Sequence, residues 1–570
     1  MSRGSRRRRV SGVATIILAL AIAILAFVVR FNALGGALGG FDNDEFFILT
    51  RADAILDGEQ PLRDFEDAEL RAVWPSLSYQ IPAWAEQLWG RNLLVYARLV
   101  CAALALCAVI VFLAARAIAG GRVLPLLAAL TTIASYAKPY NYPKPLTLGV
   151  AVGLLSWTIV RPTKIRIALL AAWTVIAALF RHDYAVYVGA AAIIVLVFAP
   201  LTTHGGADLA EARHGTRRRV RSAAGRSVPS AIGRVALYIA VAFAVALPSL
   251  MWLAYYKGIP EYLIDVLASI RGEGRRLVSW PAIDATHPFR TDSLIAFNYY
   301  VFWAVPIVAV LLLAPSLRRR RLDAHQVLGL ALVSMTLIVD YFFLRGNLPA
   351  RFGDAVVAVV LLVVWMAALA STGQGGIVAR MGASVVLVAM IAAFFPINSI
   401  ASELRTGGFT VGDVGGRFVA VSDLLRNQPP RVWSVKPRDG SMAVARYVAE
   451  CTAPDDRVLV ATLADEVPYF ARRHFAAGQA AFYSNWLKSD ANQRLALQRL
   501  ARQSVPVALT HPDYHGEFEV NYPLVARYLA AHYHEIGLIE YESHSILRVF
   551  VETARRPVRT DPVLGYPCFR

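Results

Sequence analysis

Charge is scarce in this sequence. Only 17% of its 570 residues are Asp, Glu, Lys or Arg, 57% are hydrophobic, and the mean hydropathy is +0.48. Soluble domains carry about a quarter charged residues, so this shortfall excludes an ordinary soluble enzyme and makes length a poor guide to domain count. Cysteine is nearly absent. The four present show no metal-ligand spacing, which removes any zinc-binding motif of the cysteine type. No internal repeat is visible, and acids are outnumbered by bases, 40 to 58.

Long apolar runs fill the space that charge leaves. They lie near 10–31, 93–119, 122–136, 146–160, 166–180, 184–200, 234–254, 294–314, 325–344, 353–371 and 381–397. A helix needs about 20 apolar residues to cross a bilayer core, so these runs predict a multi-span α-helical membrane protein with about eleven transmembrane helices. A net charge of +18 would suggest nucleic acid in a soluble protein. Here the basic residues gather in alternate loops: Arg6 to Arg9, Arg161 with Lys164 and Arg166, Arg213 to Arg226, and Arg318 to Arg321. That pattern marks cytoplasmic loops and is compatible with contact to anionic membrane lipids, so no nucleic-acid partner is expected. An odd span count then places the N-terminus inside the cytoplasmic (inner) membrane and the C-terminal part outside. The N-terminus imitates a signal peptide, but its apolar run exceeds the usual 7–15 residues of a signal core, so it reads as an uncleaved first span.

The expected organisation is a polytopic domain over 1–397 and an extracytoplasmic α/β domain over 398–570. The first outer loop, 32–92, holds eleven acids against four arginines. Within it Leu77, Ile81, Trp84 and Leu88 recur at helical spacing, with Trp74 and Trp89 at the flanks, which suits a helix lying on the membrane surface. The Arg-rich segment 201–233 reads as a cytoplasmic linker. In the C-terminal part, helices are expected at 441–453 and 522–534, and strands at 456–463, 505–511 and 545–552. Cys101 and Cys107 sit in one apolar run as packing residues. Cys451 and Cys568 fall in the outward part, where an oxidising compartment permits a disulfide.

The polar residues that stand out map to outer span ends. Asp42, Asp44 and Glu45 lie within four residues of each other, just after the first span. Lys138, Tyr140 and Lys144 are in one short outer loop; Arg181, His182 and Asp183 are in a second; Asp340, Arg345 and Arg351 flank a third. Ionisable groups at membrane depth are costly and are usually paired or functional. A carboxylate there can act as general base towards a hydroxyl or can hold a divalent cation, and the Asp-x-Asp-Glu spacing serves either. Lys and Arg can grip a lipid phosphate. Phe46 and Phe47 would seat the following helix in the membrane interface.

The residues carrying this pattern resemble those of the GT-C integral-membrane glycosyltransferases, in the branch of protein O-mannosyltransferases and lipid A aminoarabinose transferases (family 39-like). The likeness rests on "FDNDEFFILTRADAILDGEQPLRDFED" after an opening span, with Asp44–Glu45, a Gly58-to-Pro61 turn and Asp64. It continues through "WGRNLLVYARL" at 89–99, "FRHDYAVY" at 180–187, and a soluble C-terminal domain. The resemblance implies a polyprenyl-phosphate sugar donor and an acceptor hydroxyl on a glycan, lipid or protein at the outer face. In that reading Asp44 is the base, with Glu45 and Asp42 tuning it, and the anomeric centre inverts. Lys138, Tyr140, Lys144, Arg181, His182, Asp183, Arg345 and Arg351 serve the donor phosphate and substrate. Asp64, Glu66 and Asp67 serve the acceptor side. His182 between Arg181 and Asp183 departs from the family, and no residue matches its sugar-specifying positions. No cofactor is expected beyond the divalent cation already weighed. A lipid-linked glycan flippase, a glycan polymerase or ligase, and a non-catalytic assembly protein share the many spans and basic outer groups. The heavy Ala and Arg usage fits a GC-rich bacterial genome.

Overall fold

The computed structural model describes residues 3–34, 40–66, 74–199, 230–273, 280–319, 322–345, 348–370, 374–398, 400, 413–430, 433, 440–483, 486–511, 517–542 and 545–570. The expected basic linker lies outside them as far as residue 229, as does Asp67; Arg345 is placed but its side chain is not described. The chain forms two compact units. One comprises Met1–Arg30, Val100–Leu247 and Arg276–Thr406; the other comprises Phe31–Leu99, Pro248–Arg275 and Gly407–Arg570.

Each of the eleven apolar runs is a helix. In chain order the helices of the first 400 residues are α1 (Arg3–Asn32), α2 (Asn43–Leu56), α3 (Leu77–Trp89), α4 (Leu93–Ala119), α5 (Val123–Ala134), α6 (Pro143–Val160), α7 (Lys164–Phe180), α8 (His182–Phe198), α9 (Ala231–Tyr256), α10 (Ile259–Glu273), α11 (Thr291–Arg318), α12 (Ala324–Asp340), α13 (Leu348–Leu369) and α14 (Gln374–Ile397). Among the described residues seven helices are long and apolar enough to cross a membrane, and α5, α8 and α12 are shorter apolar helices. Their outward faces stay apolar: Ile16, Ile17 and Ile24 on α1, Phe243 on α9, Leu311 on α11 and Val385 on α14 are all exposed. Water would not tolerate so much contiguous apolar surface, whereas lipid requires it. The chain is a multi-span helical membrane protein.

The centre of the first unit is α13, buried without a break from Phe352 to Trp365 and packed by α5, α6, α11, α12 and α14. Trp365 donates its indole N–H to the carbonyl of His325 at 2.7 Å, and its ring lies over Gly329, where a Cβ would come within 2.1 Å of it. Gly353 serves the same purpose at the other end of α13. A Cβ there would meet the Ala137 backbone at 2.6 Å, so only glycine lets the 135–142 loop approach.

The second unit joins α2, α3 and α10 to a C-terminal α/β part. That part contains α15 (Val414–Arg426), α16 (Gly440–Cys451), β1 (Val458–Ala461), α17 (Glu466–Ala471), α18 (Asp490–Leu500), β2 (Val507–Thr510), α19 (Glu517–Asn521), α20 (Pro523–His532), β3 (Tyr533–Glu542), β4 (Ser545–Glu552), β5 (Arg559–Thr560) and β6 (Pro567–Cys568). The main sheet runs β1-β2-β4-β3, with β1 parallel to β2 and the other pairs antiparallel. Strand β3 starts directly at the end of α20, where the sequence reading carried the helix on to residue 534. Cys451 and Cys568 form a disulfide across 117 residues. Beside it Arg446 holds Asp561 through two hydrogen bonds of 2.8 and 2.6 Å, both side chains buried.

Phe46 and Phe47 are core residues, contrary to the interfacial seat expected of them. Phe46 packs tilted against Tyr469 at 5.4 Å and Phe470 at 5.2 Å, and Phe47 lies 5.7 Å from Trp486. The partners are aromatic side chains more than 400 positions later, which no local pattern reveals. The stripe of α3 meets its expectation differently. Trp84, Leu88 and Trp89 are exposed, while the small and polar residues Ser78, Ala83, Ala85 and Glu86 face inward.

Candidate functional site

In the first unit, α6, α8 and α13 all begin at one end of the bundle, where α5 and α7 finish. Three of the polar loops expected outside meet there. Lys144, in the first turn of α6, reaches Asp354 of α13 at 3.3 Å, with both side chains almost fully buried. Asn141 donates to the same carboxylate oxygen at 3.2 Å, and Arg351 lies 3.8 Å from it. Arg181, between α7 and α8, pairs with Asp183 at 2.9 Å, and Tyr187 donates its hydroxyl to Asp183 at 2.7 Å. The two groups adjoin, since the Lys144 ammonium sits 5.7 Å from the Tyr187 ring centre. Lys138 is exposed at the cap of a short turn over Pro139–Asn141, and Tyr140 is half-buried within that turn. His182 is half-buried at the start of α8, and Asp340 is fully buried in the last turn of α12.

One cation here escaped the sequence reading. Arg30, the last basic residue of α1, is 7% exposed and stacks 3.7 Å above the Tyr136 ring. Its Nε and Nη1 make no hydrogen bond among the described residues, and neither does Nε of Arg351. The signal was present as an arginine closing an apolar run, but it reads as an ordinary interfacial anchor. Three cations, Lys144, Arg351 and Arg181, thus gather around Asp354 and Asp183, and Arg30 lines a pocket nearby with Tyr136, Pro145 and Gly353. Their positive excess, the unspent N–H groups and the positive ends of three helix dipoles suit an anion.

In the second unit the Asp42–Glu45 stretch opens α2 with a reciprocal cap. Asp42 accepts the Asp44 N–H at 3.1 Å, and Glu45 accepts the Asp42 N–H at 2.8 Å. Glu45 is buried, Asp44 half-buried and Asp42 exposed. A divalent cation would have to compete with this cap for two of the three carboxylates. Among the described residues the one grouping with metal-ligand proximity is Cys451, Asp561 and Cys568, and its thiols are consumed by the disulfide.

The acids expected on the acceptor side have structural partners. Asp64 accepts the Gln60 N–H at 2.8 Å and pairs with Arg63. Glu66, 2% exposed, receives Lys257 at 2.7 Å and Arg499 at 3.3 Å, and Lys257 also meets Asp265 at 2.8 Å. Burial opposes the Lys257 charge, but Glu66 and Asp265 outweigh it and hold its pKa above the ordinary value. Sequence reasoning also passed over Asp53 and Glu86, which face each other from α2 and α3. Asp53 looked like one more acid in an acidic loop, and Glu86 lay between the stripe positions Trp84 and Leu88.

No protein-family model matches the chain, and no curated protein matches it. Among solved structures, the crystal structure of ArnT from Cupriavidus metallidurans bound to undecaprenyl phosphate is similar to it. The two share 14% identity over 94% of this chain and 97% of that chain, with a TM-score of 0.47.

Proposed function

We propose that this protein is a GT-C-type glycosyltransferase that moves a sugar from a polyprenyl-phosphate carrier to an acceptor hydroxyl at the outer face of a bacterial cytoplasmic membrane. The observation that carries this reading is the cation excess at one end of the helical unit. Lys144, Arg351, Arg181 and Arg30 outnumber Asp354, Asp183 and Asp340 where apolar helices end, which is where a lipid phosphate lies. The arrangement of "FDNDEFF" after the first span supplies the second support, through its likeness to the family.

In this reading the carrier phosphate is the leaving group, and the guanidinium N–H groups of Arg30 and Arg351 stabilise the charge that grows on it. Asp44 accepts the proton of the acceptor hydroxyl. The acceptor oxygen forms its bond to the anomeric carbon as the carbon–phosphate oxygen bond breaks on the opposite face, so the centre inverts. The cap formed by Asp42 and Glu45 fixes the first turn that carries Asp44. The N-terminus lies in the cytoplasm and the C-terminal α/β part outside; the Cys451–Cys568 disulfide supports that side, because such bonds persist in oxidising compartments. The exposed Trp84, Leu88 and Trp89 then rest in the lipid interface.

Native mass spectrometry of the detergent-purified protein tests the donor assignment. A polyprenyl phosphate should co-purify with the wild type and fall at least tenfold in Arg351→Gln, which removes a partly exposed side chain and spares the fold. Equal lipid retention in that variant, or none in the wild type after mild extraction, contradicts the assignment.

A further inference from the structure

The second unit contains a pocket of about 80 Å³ bounded by Asp53, Asp57, Arg91, Tyr469, Arg472 and His474. A cavity of that size holds several waters and so has room for a carboxylate or phosphate group. Three features mark it as built for a ligand. The Tyr469 hydroxyl belongs to a side chain 2% exposed, lines the pocket and makes no hydrogen bond among the described residues. A buried phenol left unpartnered is costly unless something fills its place. Arg472 adopts a left-handed conformation, φ +54°, an unusual backbone state for a bulky residue, and its Nη2 donates to the Pro429 carbonyl at 2.8 Å. Gly90, at φ +99°, makes the turn that brings Arg91 onto Asp57 at 2.6 Å.

The charges favour an anion. Arg91, Arg472 and Arg473 face one ionised carboxylate, Asp57. Arg473 is spent on structure, since its N–H groups go to the carbonyls of Ala449, Thr452, Ala471 and Arg472 and to the Thr452 hydroxyl. Burial pushes Asp57 up, but the Arg91 hydrogen bonds and His474 outweigh it and keep the carboxyl below the usual range. Burial lowers the pKa of His474, 3.0 Å from Asp57, more than the nearby Glu59 and Asp57 raise it. With the remaining acids protonated the pocket is cationic.

We propose that this pocket is an oxyanion site, serving a phosphate or carboxylate group held by Arg472, Arg91 and the Tyr469 hydroxyl, and that the Asp53–Glu86 pair gates it. The site is separate from the transfer chemistry. Asp53 stands nine residues beyond Asp44 on α2, about 13 Å along the helix axis. The gate works by proton count. Burial pushes the Asp53 carboxyl up to about 7, with Asp57 adding to the effect and Arg91 and Arg472 opposing it. Glu86 is raised by burial and by Asp53, against Arg91. While the pair holds its protons it adds no repulsion and offers O–H donors. Once ionised, it places negative charge against the bound anion, so affinity falls as pH rises through neutrality.

Calorimetric titration of the full-length detergent-purified protein with sulfate tests this, because sulfate keeps its charge from pH 6 to 8.5, and acetate serves as the planar counterpart. The expected result is saturable binding of at least one of them at pH 6 that weakens at least tenfold by pH 8.5. Tyr469→Phe, which deletes only the unpartnered hydroxyl, should weaken it about fivefold. Arg472→Gln should abolish it, and Asp53→Asn should retain it with a flattened pH profile. Binding of neither anion, binding unchanged by Tyr469→Phe and Arg472→Gln, or an affinity independent of pH overturns the proposal. Asp44→Asn should leave this binding intact, so the site stands or falls apart from the glycosyltransferase reading.

Discussion

Lys144 and Asp354 in the helical unit meet at 3.3 Å with 3% and 2% of their side chains exposed, a cation against an anion. Asp53 and Glu86 in the second unit meet acid against acid, and burial drives both towards the neutral form. Both arrangements put ionisable groups out of water, and they solve the cost differently. Where the surroundings are apolar helices that end in lipid, charge is kept and paired. Where an α/β layer and arginines surround the acids, charge is given up to a proton. The first solution leaves fixed positive charge for a permanent anion such as a lipid phosphate. The second leaves a group that changes state near neutral pH.

Breaking the paired charges should have the largest effect. Asp354→Ala leaves Lys144 buried without its counterion and should cost about 3–5 kcal/mol, read as a lowered thermal midpoint of the helical unit. The double change Lys144→Met with Asp354→Leu should recover most of that loss, which separates ion-pair breakage from poor packing. Next comes the covalent link of the second unit. Serine at both Cys451 and Cys568 should cost about 2–4 kcal/mol, and reductant should lower the wild-type midpoint while leaving the serine variant unchanged.

The acid pair sharpens the comparison through pH. Asp53 titrates near its ordinary 3.8 in the unfolded chain and near 7 in the fold. The folded state therefore binds this proton more tightly. The stabilising contribution is complete below pH 4 and is lost as pH rises to 7. A shift of that size allows at most about 4 kcal/mol, and partial exposure of Asp53 reduces the expected figure to about 2. Asp53→Asn should match the wild type at acidic pH and exceed it in stability at pH 8; a parallel loss at both pH values would break the account. The smallest effect belongs to the α2 cap, where Asp42→Ala should cost about 1 kcal/mol without altering the pH profile.

The legibility of the sequence followed the same division. Each of the eleven apolar runs could be read as a helix, because lipid demands a continuous apolar run and leaves little room for other solutions. The loops holding Lys144, Arg181 and Arg351 stood out because charges beside apolar runs are rare, although their pairing around Asp354 and Asp183 was not visible. The second unit was harder. Its α2 packs Phe46 and Phe47 on residues 469, 470 and 486, so their burial depends on contacts spanning most of the chain. Strand β3 escaped because residues 533–542 mix His and Glu with apolar positions and follow a helix with no intervening loop. The Asp53–Glu86 pair escaped because acids in an acidic loop look solvated, and only the fold turns two of them inward.

The proposed role of Asp44 carries the central claim, and one rate measurement tests it. Wild-type and Asp44→Asn proteins in matched vesicles, supplied with radiolabelled polyprenyl-phosphate sugars and an acceptor extract, should differ at least a hundredfold in sugar transferred. Lipid co-purification should stay equal in the two, since the donor phosphate is assigned to other residues. Transfer at the wild-type rate by Asp44→Asn would remove the base from the mechanism. Lipid scrambling without transfer by the wild type would contradict the glycosyltransferase reading altogether.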